Sequence, residues 1–226
     1  MLTTRKKDFI EFMMSADVLR FGEFQTKSGR LTPYFINTGN YKTGGQIAAL
    51  GRFYAALIHE TCGDRFDAMF GPAYKGIPLA TAAAAALATE YGVDKPYFFN
   101  RKEAKDHGEG GSMVGYKPQD GDNVAIVEDV VTAGTAVRES IELFKHVADV
   151  NIKALFVSVD RMERGTRACS TLDELREDYG IAVYPIVTVK EIIAFLHNNP
   201  VDGKVYIDDE MKAKMEAYLA EYGARK

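Results

Sequence analysis

The chain predicts an α/β fold on a central, mostly parallel sheet flanked by helices, and three observations carry that prediction. Short apolar runs alternate with stretches of helical periodicity from residue 66 to residue 197. One run, Val124-Ala-Ile-Val127, is apolar throughout, as in a strand covered on both faces. The segments richest in chemically useful residues follow the apolar runs, at the carboxyl ends of strands, where open α/β sheets receive their ligands.

The elements can be justified in order. Phe9, Phe12, Met13 and Ala16 fall at helical spacing. A polar, Gly-rich stretch covers 21–45, and Ile47, Leu50, Tyr54 and Ile58 then resume a helical stripe. Residues 66–70 read as a strand, the Ala-rich 78–91 as a helix and 96–99 as a strand. Residues 101–112 are charged and Gly-rich, so a mobile loop is expected there. After the 124–127 strand, Val137, Ile141, Phe144 and Ala148 mark a helix. Strands are expected at 154–159 and 181–187, helices at 172–179 and 189–197, and a last amphipathic helix at 210–222. No repeat or low-complexity linker marks a domain boundary.

Composition sets limits on function. Of 226 residues, 46% are hydrophobic and 27% charged, as in an ordinary globular chain able to bury a core. Lys and Arg number 28 against 32 Asp and Glu, a net charge of -4 that argues against a nucleic-acid partner. It leaves room for a small anion, which needs only a few local cations. Cys62 and Cys169 match no disulfide framework or zinc spacing and read as free buried thiols in a reducing cytosol. Asp8 and Glu11 interrupt the apolar residues that a signal peptide would need, and no run is long enough for a membrane span. A cytoplasmic chain without a membrane partner is expected.

The strongest chemical segment is Val124-Ala-Ile-Val-Glu-Asp-Val-Val-Thr-Ala-Gly-Thr-Ala136. A buried strand runs into two acids, then into a small-residue turn, then into a helix. Backbone N–H groups of Thr132, Ala133, Gly134 and Thr135 can close around an anion at the positive end of the helix. Glu128 and Asp129 would repel that anion if they faced it, so they make sense facing hydroxyls, as on a ribose. Taken alone, the pattern could also be an acidic cap on a structural helix.

Four further segments add to it. In Phe70-Gly-Pro-Ala-Tyr-Lys-Gly-Ile-Pro78, Gly71 and Gly76 would permit unusual backbone angles, so that N–H groups converge on an anion beside Lys75. In Asn100-Arg-Lys-Glu-Ala-Lys-Asp-His-Gly-Glu-Gly-Gly-Ser112, composition alone says a solvated loop, whereas position after a strand says a lid hinged on glycines. Thr26-Lys-Ser-Gly-Arg-Leu-Thr-Pro-Tyr-Phe-Ile-Asn37 reads as an N-terminal hairpin with Lys27 and Arg30 around a Gly turn. In Ser158-Val-Asp-Arg-Met-Glu-Arg-Gly165, Arg161 could fork onto a carboxylate or serve in a surface ion pair. His59, His146 and His197 fall on expected helices without acid partners at ligand spacing and read as structural or surface residues.

The acid-pair segment resembles the phosphoribosyl-pyrophosphate signature of the type I phosphoribosyltransferases. The remaining motifs are similar to those of the orotate phosphoribosyltransferase family, over nearly the whole chain. That resemblance implies the type I phosphoribosyltransferase fold as a single domain, 1–226, with a small hood over about 1–45 and a core over about 46–226. It implies Mg²⁺-dependent transfer of ribose 5-phosphate to orotate, giving orotidine 5'-monophosphate and diphosphate in pyrimidine biosynthesis.

By motif, the resemblance implies phosphoribosyl-diphosphate contacts from Lys27, Tyr74, Lys75, Arg101, Lys102, Lys105 and His107. It implies further contacts from Glu128, Asp129, Val130, Val131, Thr132, Ala133, Gly134, Thr135 and Ala136. Lys102, Lys105, Glu128 and Asp129 would carry the catalysis. Orotate would meet Phe35, Ile36, Thr132 and Arg161. Ile36 departs from the Phe-Phe that the family often has, although backbone contacts would survive the change. The metal would be held mainly by substrate oxygens and water, with no protein ligand set. A homodimer is implied, with the 101–112 loop shared across subunits. The alternatives are a type I enzyme for another base, which the Thr-Ala-Gly-Thr turn does not distinguish, or a non-catalytic regulator that senses phosphoribosyl diphosphate. A regulator would be expected to lose the lid cations, and a purely structural domain would leave five motifs unexplained.

Overall fold

The structure, a computed structural model, describes residues 2–26, 29–105 and 111–225. Helix α1 (Thr4–Ser15) starts where the Thr3 hydroxyl accepts from the Lys6 amide, and it buries Phe9, Ile10 and Met13. Strands β1 (Leu19–Gln25) and β2 (Leu31–Ile36) form an antiparallel pair of their own. A single 3-10 turn, Thr38–Asn40, leads to α2 (Gly44–Cys62), which opens on a capping box between Thr43 and Gln46.

The alternation read from the sequence becomes one sheet. Its members are β3 (Ala68–Gly71), β4 (Tyr97–Lys105), β5 (Gly111–Gly115), β6 (Asn123–Val127), β7 (Asn151–Asp160) and β8 (Ala182–Thr188). They lie in the order β5-β4-β3-β6-β7-β8. All pairings are parallel except β4 with β5. The crossovers carry α3 (Gly76–Tyr91), α4 (Thr135–Phe144) and α5 (Thr171–Tyr179), and α6 (Val189–Leu196) and α7 (Asp209–Tyr222) follow β8.

Side chains of the central strands alternate between two cores, as a strand's period of two requires. Ala125, Val127 and Phe156 join the core shared with α1, α2, α3 and α6. Val124, Ile126 and Leu155 join the core under α4 and α5. The first core also takes in Leu19 and Tyr34 of the β1-β2 hairpin and Tyr218 of α7. Both ends of the chain are thus fastened to the same side of the sheet.

The order matters for function. From β3 the chain moves outward to β4 and β5, then returns to place β6 on the other side of β3. The carboxyl ends of β3 and β6 therefore flank a topological switch point, where such sheets open a crevice.

The expectation of an irregular loop over 101–112 needs correction. Residues 101–105 continue β4, and β5 begins at 111, with Lys105 opposite Gly111; residues 106–110 lie outside the described residues. Phe98 in the core and the Phe99–Val114 pairing start the ladder. At the sheet edge β4 then extends through charged residues, of which Lys102 and Glu103 are exposed. Cys62 is buried, as expected, but Cys169 is only partly so; both are free. No helix among the described residues is long and apolar enough to cross a membrane.

Candidate active site

Strand β6 delivers Glu128 and Asp129 directly into the crevice. Asp129 is buried, its side chain 8% exposed. Its Oδ2 accepts from the Thr38 hydroxyl and stands 3.2 Å from the Lys75 ammonium, which also lies 3.1 Å from the Thr38 oxygen. Three segments thus meet at one carboxylate: the turn after β2, the loop after β3 and the end of β6. The Asp129 backbone is fixed as well, since its carbonyl accepts from the Ser158 amide (2.9 Å) and hydroxyl (3.0 Å) on β7.

Glu128 occupies different surroundings. Its carboxylate accepts from the Asp129 amide at 2.9 Å, and its carbonyl accepts from the Tyr54 hydroxyl at 2.7 Å. Burial, reinforced by the Asp129 charge, pushes the Glu128 carboxyl up to about 7. The adjacent acids therefore need not both be ionised near neutral pH. Burial also pushes up the hydroxyl of Tyr41, which stacks on Phe12 and has no hydrogen-bond partner among the described residues.

Beyond the acids, Val130 packs into one core and Val131 into the other, pinning the turn astride the sheet edge. Thr132, Ala133 and Thr135 are exposed around buried Gly134. Gly134 has φ +72°, a left-handed conformation suited to glycine, and a Cβ there would stand 3.0 Å from the Thr171 methyl. Helix α4 starts without a side-chain cap, leaving its first amides to an outside acceptor. Ala136 follows in its first turn. The Thr171 hydroxyl, at the start of α5, donates to the Thr132 carbonyl at 2.5 Å and braces the turn from behind.

The loop after β3 corrects one expectation. Gly71 and Gly76 do not adopt positive φ. Their role is close approach: a Cβ on Gly71 would lie 2.2 Å from the Gly76 carbonyl oxygen, and one on Gly76 would lie 2.6 Å from Pro72 Cδ. The tight loop is tied down by the Ala73 amide donating to Asn100 Oδ1 at 2.8 Å, and it leaves Tyr74 71% exposed. The Ala73–Tyr74 peptide is cis.

The lid residues are split. Arg101 is half-buried on β4, and Lys102 is exposed with its ammonium 3.2 Å from Glu139 on α4 of the same chain. Lys105 enters as the last residue of β4. Lys27 and His107 lie outside the described residues.

On the base side, Phe35 and Ile36 do not act as a pair of side chains. Successive residues of β2 face opposite ways: Phe35 is exposed and stacks on Phe24 (5.5 Å), whereas Ile36 packs against the core. Only their backbones can face one ligand together. Arg161 lies over the Tyr34 ring (4.5 Å) and donates to Glu163 Oε1 through Nε (3.0 Å) and Nη2 (2.6 Å). It is thus no surface ion pair.

Sequence reasoning missed Thr38, Tyr41, Tyr54, Asn100 and Thr171, because each reaches the site from a distant segment. It also missed the partner of His197, whose Nε2 is 2.8 Å from Asp209. Among the described residues no group of three or more His, Cys, Asp or Glu could hold a metal.

An uncapped helix start behind an acid pair, at the switch point of a parallel sheet, defines a phosphoribosyltransferase-type site. In agreement, the family model "Phosphoribosyl transferase domain" matches residues 37–178. The chain is 52% identical to the orotate phosphoribosyltransferase of Clostridium acetobutylicum, over 97% of this chain and 98% of that one. It is 51% identical to that of Clostridium beijerinckii, with the same coverage. The crystal structure of orotate phosphoribosyltransferase from Francisella tularensis superposes with a TM-score of 0.82 at 37% identity, covering 96% of this chain and 99% of that one. The chain belongs to the orotate phosphoribosyltransferase family.

Proposed function

We propose that this chain transfers the 5-phosphoribosyl group from phosphoribosyl diphosphate to orotate, releasing diphosphate and forming orotidine 5'-monophosphate for pyrimidine synthesis. The observation that carries the reading is the convergence on Asp129 of Thr38 and Lys75, beside the open start of α4. An acid held by a hydroxyl and an ammonium stands ready to take ribose hydroxyls in their place, which turns Lys75 toward the diphosphate. The 5'-phosphate takes the amides of 132–135.

The bond from the anomeric carbon to diphosphate breaks as positive charge grows on the ribose ring. The chain supplies no nucleophile; N1 of orotate attacks the same carbon. Lys75, Arg101, Lys102 and Lys105 balance the negative charge of the departing diphosphate, while Glu128 and Asp129 hold the ribose hydroxyls beside the developing cation. Tyr74 and Lys27 add contacts to the diphosphate. Lys102, close to α4 of its own chain, serves its own subunit's site. Arg101, Lys105 and His107 serve the partner's in a homodimer that shares the 101–112 segment. The segment acts as a lid that excludes water from the ribosyl cation.

Two adjacent carboxylates are too few to cage a metal, but Asp129 and Glu128 would suit a hydrated Mg²⁺ held mainly by substrate oxygens and water. The ion would neutralise charge on the leaving group. Orotate lies against the backbone of Phe35 and Ile36 and the Thr132 region, with its carboxylate at Arg161. The chain acts in the cytoplasm.

The test is direct. Purified protein with orotate, phosphoribosyl diphosphate and Mg²⁺ should consume orotate absorbance and release one diphosphate per orotate lost. Diphosphate release without orotate loss, or no reaction, contradicts the reading.

A further inference from the structure

One carboxylate on the base side gathers more donors than any helix cap or surface pair requires. Glu163 Oε1 accepts from Arg161 at 3.0 and 2.6 Å, from the Tyr34 hydroxyl at 3.0 Å and from the Tyr218 hydroxyl at 3.0 Å. Its Oε2 lies 3.6 Å from Arg30. These partners come from β2, from the turn after β1, from the end of β7 and from α7. Tyr34 is fully buried and Tyr218 nearly so, their rings edge to face at 5.9 Å. Burial pushes the Tyr34 hydroxyl far above its usual range, so it stays protonated and donates. Two guanidiniums facing one carboxylate leave the cluster with one uncompensated positive charge.

We propose that Glu163 is the positioning residue for Arg161, and that through Tyr218 it makes the C-terminal helix part of the base-specificity apparatus. This rests on the reading that Arg161 meets the orotate carboxylate. An arginine on a flexible stem loses rotamer freedom when it binds a ligand. Here that freedom is already removed by the Tyr34 ring on one side and the Glu163 oxygen on another. The remaining single positive charge matches a base that carries a carboxylate. A neutral pyrimidine offers that charge no partner of its own, which counts against it.

The experiment is steady-state kinetics on Glu163→Gln, Tyr218→Phe, Arg161→Gln and the Arg161→Gln/Glu163→Gln double variant, with thermal melting of each. Glu163→Gln should raise the orotate KM about tenfold, with the phosphoribosyl-diphosphate KM changed less than about twofold. Tyr218→Phe, which keeps the ring, should move the orotate KM the same way by about threefold. In the Arg161→Gln background, Glu163→Gln should add nothing further to the orotate KM.

An unchanged or lowered orotate KM in Glu163→Gln overturns the proposal. So does a parallel rise of both KM values with a fall in Tm, or an equal Glu163→Gln effect in the double variant. If Glu163→Gln does not fold, an unchanged orotate KM in Tyr218→Phe overturns it alone. If Arg161→Gln itself leaves the orotate KM unchanged, the base-site reading fails instead. If Arg161→Gln raises it and Glu163→Gln does not, only the positioning role fails.

Discussion

The segment proposed to hold the 5'-phosphate and the cluster proposed to face the base are built in opposite ways. The first is local: Glu128 through Ala136 leave one strand and enter one helix, whose first amides have no side-chain cap. The base half is assembled at long range. Glu163 joins Tyr34, which lies 129 positions away, and Tyr218, which lies 55 away. A backbone cradle tolerates changes in its side chains and depends on its conformation. A side-chain cluster depends on each member and can be retuned one residue at a time. A fixed half for the common donor and an adjustable half for the particular base is what such a division provides.

The contrast can be broken most severely where the halves meet, at Asp129. Asp129→Asn leaves Lys75 and Thr38 without their acceptor charge. It should lower kcat/KM by about 10²-fold or more while the fold survives by circular dichroism. A loss of less than about fivefold would remove Asp129 from the mechanism.

Lys102→Ala should lower kcat by about tenfold, because it subtracts a cation from the departing diphosphate. Mixing it with Asp129→Asn sharpens the assignment of Lys102 to its own chain's site. If that assignment holds, a Lys102→Ala/Asp129→Asn dimer carries one lesion in each site, whereas a Lys105→Ala/Asp129→Asn dimer gathers both lesions in one site and leaves the other whole. Mixing Asp129→Asn with a Lys105→Ala variant should therefore restore activity, whereas mixing it with Lys102→Ala should not, with subunit exchange verified by mass.

Glu128 gives a pH signature. Its folded-state carboxyl sits at about 7, above its usual value near 4.5, so the folded chain holds a proton that the unfolded chain has released. Its contribution to stability is therefore fully present below about pH 4.5 and is lost as pH rises through about 7. Glu128→Gln should flatten this slope of ligand-free stability, on the order of 3 kcal/mol across that window. Denaturant unfolding at pH 5 and pH 8 reads it, and an unchanged slope would place the proton elsewhere.

The smallest effect is expected behind the cradle. Thr171→Val keeps the shape but removes the hydroxyl that braces the Thr132 carbonyl. The phosphoribosyl-diphosphate KM should rise about threefold with the orotate KM unchanged. The reverse pattern would mean that α5 supports the base half instead.

This division also explains what could be read from the chain itself. Strand, acid pair, turn and helix start are contiguous, so the phosphate half is visible as one segment. The alternating sheet is legible because each strand between 124 and 187 is a short apolar run. Thr38, by contrast, reaches Asp129 across 91 positions, and nothing local marks it. Gly71 and Gly76 suggest unusual backbone angles in sequence but act by permitting close contact, which only the fold reveals. The charged Lys102 and Glu103 read as loop residues because edge strands and loops both expose such side chains. Arg161 was visible as a candidate, whereas the carboxylate that orients it was hidden two residues away among three alternating charges.

The central claim is tested most directly by the specificity of the wild-type chain. With phosphoribosyl diphosphate and Mg²⁺ fixed, kcat/KM should be measured for orotate, uracil and hypoxanthine in parallel. The account predicts a preference for orotate of at least about 10²-fold over either base, since two guanidiniums that share one carboxylate favour a base bringing a carboxylate of its own. Comparable or faster turnover of uracil or hypoxanthine would contradict it.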